Sequence, residues 1–285
     1  MGNLQSAMEY LMTYGWAILI IAVVLGALFQ LGIFNASTFT PKAPPGSCHV
    51  FRPNGPMTTS FINTQGICNG ELPQYVAKFN GNGYFDVGQE YNIITLAGTY
   101  SFSAWIYSSN DLSVPHIIFQ QSPSQANNRN GLTDYVGTLS FGYENGVSWF
   151  EKSGPLSLNS WHHVVGIDAA GTLSLYIDAV PQTGSVAPYV DGSFTDLYIG
   201  RCSSIYCASF GGMMSNVQLY NSSLSSNEIT ALYNEGIGGA PVALKNLVGW
   251  WPLNGDTKDY SGNNNNGVPT ALTFTSSWTS GYSAP

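Results

Sequence analysis

Apolar and polar positions change their rhythm at about residue 46. Before it, the run LMTYGWAILIIAVVLGALFQLGIF at residues 11–34 is nearly unbroken, and no charged side chain stands between Tyr10 and Ala36. At about 1.5 Å of rise per residue these 24 residues predict a helix of about 36 Å, enough to cross a hydrocarbon core of about 30 Å. The next stretch, NASTFTPKAPPG at 35–46, contains Pro44 and Pro45 and predicts a short, stiff linker, because proline cannot continue a helix. Beyond it, short alternations of apolar and polar residues are separated by Gly, Asn and Pro, the strand-and-turn pattern of an antiparallel β fold.

The clearest predicted strands are VAKFNG, GYFDV, YSFSAWIYS, HIIFQQ, TLSFGY, VSWFEK, WHHVVGID, TLSLYID, LYIGRC and MSNVQLY. In SFSAWIY, Phe102, Ala104 and Ile106 point one way while Ser103, Trp105 and Tyr107 point the other, so both faces of this strand call for cover. The turn DAAG at 168–171 joins WHHVVGI to TLSLYID as a hairpin closed by Gly171. One helix interrupts the pattern. Ser225 and Glu228 have capping-box spacing, Leu224 and Ile229 the spacing of a hydrophobic staple, and Gly236 marks the C-terminal end. Its face of Ile229, Leu232 and Tyr233 is expected to lie on a sheet.

Composition narrows the partners. The net charge is −8 and the eight Lys and Arg are scattered singly, which argues against nucleic acid or a basic membrane patch. Only 8% of residues are charged, so Asn, Ser, Thr, Gln and Tyr must carry the polar surface. Four cysteines allow three pairings. Proximity favours Cys48 with Cys68 and Cys202 with Cys207, with free thiols as the alternative. The four histidines have no metal-ligand spacing.

The leader MGNL has no basic residue, and polar QSAME precedes the apolar run, so cleavage in front of the helix fits better than cleavage behind it. The string QSAMEYL followed by MTYGWAILIIAVV resembles the class III signal sequences of archaeal type IV pilins and archaellin-like proteins. That resemblance implies a leader over 1–4 cut by a prepilin peptidase between Leu4 and Gln5, and a retained helix over 5–34. It also implies a membrane assembly machinery and a homo-oligomeric filament on the archaeal cell surface. Glu9 would then pair with the free amine of Gln5 on a neighbouring subunit, since a carboxylate at the edge of hydrocarbon needs a positive partner.

A second resemblance covers residues 77 to 236. AKFNGNGYFDV, YSFSAWIY, NSWHHVVGIDAAGTLSLYIDAV, DLYIG and GGMMSNVQLYNSSLSSNEITALYNEG, in that order, resemble LamG-like, concanavalin A-like jellyrolls. The expected architecture is therefore mainly β, an N-terminal apolar α-helix followed by an antiparallel β-sandwich over 47–285. LVGWWPLNGDTKDYSGNNNNG at 247–267 resembles the opening strand of such a jellyroll although it comes last. With 39 residues left from Leu247, closure of the same sandwich is favoured over a second domain, with exchange into a neighbouring subunit as the competing arrangement.

No catalytic constellation stands out, because the glutamates beyond the helix form no alternating cluster of the kind used in glycoside hydrolysis; no enzyme is expected. Asp256, Asp259 and Asn263 offer hard oxygens for a Ca²⁺ ion, although an Asx hydrogen-bonding network explains the same loop. Asn35 and Asn221 open glycosylation triplets. Tyr and Trp rings suit a surface glycan or protein ligand. The functional expectation is a pilus-like structural subunit with a lectin-like head; the rival is a membrane-anchored carbohydrate-binding protein that does not polymerise.

Overall fold

A computed structural model describes residues 14, 16–26, 49–51, 63–65, 72–88, 98–109, 114–122, 129–144, 149–184, 196–202 and 207–285. The chain forms two compact units, Met1–Pro44 and Pro45–Pro285. In the first, residues 16–26 are helical with exposed side chains. The prediction of a membrane-spanning helix over 5–34 is overturned: among the described residues no helix is long and apolar enough to cross a membrane. The filament of packed helices, the membrane insertion and the archaeal-surface location built on that helix are withdrawn with it. Leu4, Gln5, Glu9, Asn35, Cys48 and Cys68 lie outside the described residues.

The second unit opens with β1 (His49–Phe51) paired to β2 (Asn63–Gln65). Two larger antiparallel sheets follow. The first runs β12 (Val180–Pro181), β11 (Thr172–Ile177), β10 (Trp161–Ala169), β5 (Thr99–Ser108), β15 (Gly211–Tyr220), β3 (Val76–Asn80), β18 (Thr273–Thr275), with β16 (Leu247–Trp251) also paired to β15. The second runs β17 (Val268–Thr270), β4 (Tyr84–Gly88), β13 (Asp196–Ile199), β6 (His116–Ser122), β7 (Arg129–Tyr135), β8 (Thr138–Glu144), β9 (Trp149–Pro155), with β14 (Ala208–Ser209) running parallel to β6.

The period-two alternation decides what lies between the sheets. Phe102, Ala104 and Ile106 of β5, Leu173 and Leu175 of β11 and Leu219 of β15 are buried in one core with Phe119, Leu132, Phe141 and Ile199 of the second sheet. The ring centroids of Phe102 and Phe119 are 4.3 Å apart across this core. At the β10–β11 hairpin, Ala170 and Gly171 both have positive φ (50° and 86°), as a two-residue type I′ turn requires, and Asp168 accepts a 2.8 Å bond from the Gly171 N–H.

The C-terminal segment enters both sheets of its own chain. β16 pairs with Val217–Tyr220 of β15, continuing along an edge whose first half, Gly211–Met214, is taken by β3. The change of partner falls at a bulge where Asn216 has φ 52° and its side chain binds Trp250 Nε1, Gln218 Nε2 and Gly239 O. β17 then pairs with β4, and β18 with β3.

The outer side of the first sheet is covered. The helix Ser226–Glu235 has the full capping box between Ser225 and Glu228, and it buries Ile229 and Leu232 against Val165, Ile167, Leu247 and Trp250. Tyr233 stacks on Trp105 at 5.9 Å, Tyr282 meets the same indole edge-on, and Trp161 donates its Nε1–H to Trp278 O at 2.8 Å. His163, in the same layer, bonds Ser103 Oγ through Nε2 at 2.9 Å, and burial pulls its pKa down to about 4, so the ring is neutral. Its neighbour His162 faces Asp178 at 2.7 Å. Both histidines are structural in these positions.

Candidate functional site: an aromatic and guanidinium cluster on the second sheet

The second sheet has a different outer side. On β4 and β13 the inward residues are Phe85, Val87, Leu197 and Ile199, which leaves Tyr84, Asp86 and Tyr198 facing outward. The two tyrosine rings meet edge to face at 6.3 Å. Arg201 lays its guanidinium over both, 4.3 Å from the Tyr198 centroid and 4.9 Å from that of Tyr84. Arg201 reaches this position because the chain turns at Gly200, where φ is 84° and an added Cβ would lie 2.5 Å from the Phe79 ring. The next residue, Cys202, is joined to Cys207 by a disulfide, with Cα atoms 5.8 Å apart, which anchors that turn.

Register extends the face sideways. Asp86 pairs with Tyr198, Tyr198 with Gln120, Gln120 with Gly131, Gly131 with Gly142, and Gly142 with Glu151. Directly paired residues share a face, so two adjacent positions of this row have no side chain. The row from Tyr198 to the exposed Glu151 spans about 19 Å over four strand spacings, and its middle members Gln120, Gly131 and Gly142 are buried, so the reachable groups stand at its ends. In a second row beside it, Thr133, Ser140 and Ser153, the first two are buried and the Thr133 hydroxyl donates to Ser140 O. Beside Tyr198, both polar atoms of the Gln120 amide are buried with no hydrogen-bond partner. Asp86 is held by the Gly88 N–H at 2.8 Å.

The residues proposed from sequence lie elsewhere. Asp259 is fully buried: Oδ1 accepts N–H bonds from Trp250 (2.9 Å) and Ser261 (2.8 Å), and Oδ2 bonds the Asn265 N–H and the Ser261 hydroxyl, both at 2.8 Å. Asn263 turns its amide nitrogen to the carbonyls of Leu247 and Val248, at 3.1 and 2.9 Å. Asp256 accepts from the Lys258 N–H and the Tyr260 hydroxyl, both at 3.2 Å. These bonds fasten the loop to β16. Among the described residues no cluster of three or more His, Cys, Asp or Glu could hold a metal. Asn221 is exposed at the end of β15, with its backbone N–H bonded to Asn246 O at 2.9 Å.

Sequence reasoning missed Tyr84, Tyr198, Gln120, Gly131, Gly142 and Arg201 as a group. The only local hint is YIGRC, where a glycine and a cysteine flank an arginine at a strand end.

Comparison with known proteins places the fold. A family profile, Laminin_G_3, described as the concanavalin A-like lectin/glucanases superfamily, matches residues 79–230. A candidate carbohydrate binding protein from Bacteroides ovatus is similar at a TM-score of 0.55 and 19% identity, over 72% of this chain and 60% of its own, so this chain spans about three fifths of its length. Domain 4 of an extracellular arabinanase from Geobacillus stearothermophilus, solved with arabinotriose, gives 0.45 at 17%, over 55% and 75%. A Trypanosoma rangeli sialidase gives 0.47 at 22%, over 61% and 30%. No curated protein matches the chain. These similarities fall on the lectin-like fold and lend nothing to the resemblance to archaeal pilins and archaellins, which is corrected accordingly.

Proposed function

The chain belongs to the concanavalin A-like lectin/glucanase superfamily, and we propose that its role there is to bind carbohydrate, without catalysis and without polymerising. The observation that carries this reading is the half-buried outward cluster at one end of the second sheet, where Tyr84, Tyr198 and Arg201 meet beside Asp86. Tyrosine rings offer apolar faces to the C–H side of a sugar ring. Arg201 and Asp86 supply a donor and an acceptor for its hydroxyls.

Binding is favoured over hydrolysis by the spacing of acids on this face. Asp86 and Glu151 are five strand spacings apart, about 24 Å along the sheet, whereas a hydrolytic pair stands about 5 to 9.5 Å apart.

A glycan array, followed by titration of the best oligosaccharide, tests the proposal. Binding is expected with calcium and with EDTA alike, and Tyr198→Ala is expected to weaken it at least tenfold while the fold is unchanged. An array without signal, or a Tyr198→Ala variant that binds as the parent does, would overturn the reading.

A further inference from the structure

On the opposite side of the sandwich, one part of the first sheet escapes the cover of helix and C-terminal segment. Here a cross-strand row runs Thr273, Lys78, Met213, Tyr107, fixed by direct pairing of β18 with β3, β3 with β15, and β15 with β5. Lys78 faces outward because its neighbours Ala77 and Phe79 fill the core, and it is exposed. Lys78, Met213 and Tyr107 of this row line an open-sided cavity of about 340 Å³ whose wall includes Ser109, Thr275 and Ser277. That volume lies at the lower end of ordinary ligand pockets, about 300 to 1,000 Å³.

The lining is chemically divided. Tyr107 and Met213 pack against the indole cluster of Trp105, Trp161 and Trp278, and they give the floor an apolar patch on a rigid base. Around it stand the hydroxyls of Ser109, Thr275 and Ser277, and Lys78 is the one charged group in the lining. Among the described residues Lys78 has no ion-pair partner, in a chain whose net charge is −8. An apolar floor suits the C–H face of a pyranose, the hydroxyls suit its ring substituents, and a lone ammonium selects a carboxylate.

We propose that this cavity is a second saccharide site, specific for a uronic acid: the sugar ring lies on Tyr107 and Met213 and its carboxylate meets Lys78. The site is on the sheet opposite the Tyr84–Tyr198–Arg201 face and shares no residue with it, so it stands whether or not that face binds glycans. Its volume suits one or two sugar residues.

Calorimetric titration of the full chain with methyl glucuronide and with methyl glucoside tests the site. Glucuronide is expected to bind at least tenfold more tightly than glucoside, and Lys78→Gln to remove that preference while leaving any glucoside binding unchanged. Met213→Trp, which fills the cavity from its floor, is expected to abolish both, whereas Tyr198→Ala is expected to change neither. Equal affinity for the two sugars, no glucuronide binding in the millimolar range, or full binding by Met213→Trp in a protein of parental circular dichroism would overturn the proposal.

Discussion

On the outer side of the first sheet, Trp105 and His163 are buried beneath Tyr233, and Trp105 also beneath Tyr282. On the outer side of the second, Tyr84, Tyr198 and Arg201 remain half-buried and reachable. Both faces come from the same alternation along the strand, and both are rich in aromatic rings. They differ in what the chain supplies to cover them. Residues 226–282 lay a capped helix, Trp278 and Tyr282 over β5 and β10, so aromatic area there is spent on stability. Among the described residues no equivalent layer lies over β4 and β13, where two rings and a guanidinium stay half-buried. Aromatic content alone therefore says little about sugar binding; the cover above the ring decides.

Substitutions can sharpen this contrast. The largest expected loss of stability is at Trp105→Ala, which removes a buried indole packed by Tyr233, His163 and Tyr282: about 3 to 5 kcal/mol, read by chemical denaturation, with sugar affinity of the folded fraction unchanged. A cost below about 1 kcal/mol would mean that the cover is loose.

The next effect is a pH dependence. His163 has a folded pKa of about 4, below its ordinary value of 6.5, so the unfolded chain takes up this proton first as pH falls. The contribution is fully present above about pH 6.5, declines between 6.5 and 4, and is gone below 4; the whole swing is on the order of 3 kcal/mol. Denaturation of the parent and of His163→Asn across pH 7 to 4 checks it. The gap between them is expected to shrink or reverse on acidification, and a constant gap would contradict a neutral buried imidazole.

Ser225→Ala removes the side-chain half of the capping box and is expected to cost about 1 kcal/mol, measured in the same way. The smallest change in stability is expected at Tyr198→Ala, within about 1 kcal/mol because the ring is half-buried, although this variant is the one that loses glycan binding.

What the sequence discloses follows the range of the interaction. Strands such as YSFSAWIYS and WHHVVGID are legible because their own alternation specifies which residues enter the core, and the helix is legible because Ser225, Glu228 and Gly236 are local signals. β7 is not, since RNGLTDY offers Leu132 as its one buried apolar residue between polar neighbours and a glycine. β17 and β18 are three-residue edge strands whose pairing depends on partners about 180 to 200 residues away. The candidate site needs still more: Tyr84 and Tyr198 are 114 positions apart and meet only once β4 and β13 are in register. The bonds of Asp259 to backbone N–H groups are likewise invisible in composition. The apolar N-terminal run misled because hydropathy measures what a segment tolerates and not what it builds.

The account's central claim is that the uncovered face of the second sheet holds a glycan. Amide and side-chain chemical-shift mapping of the full chain with the strongest array oligosaccharide tests it most directly. The predicted result is a connected patch of perturbed resonances at Tyr84, Asp86, Tyr198 and Arg201. Perturbations confined to the 256–267 loop, or none along that row at saturating sugar, would contradict it.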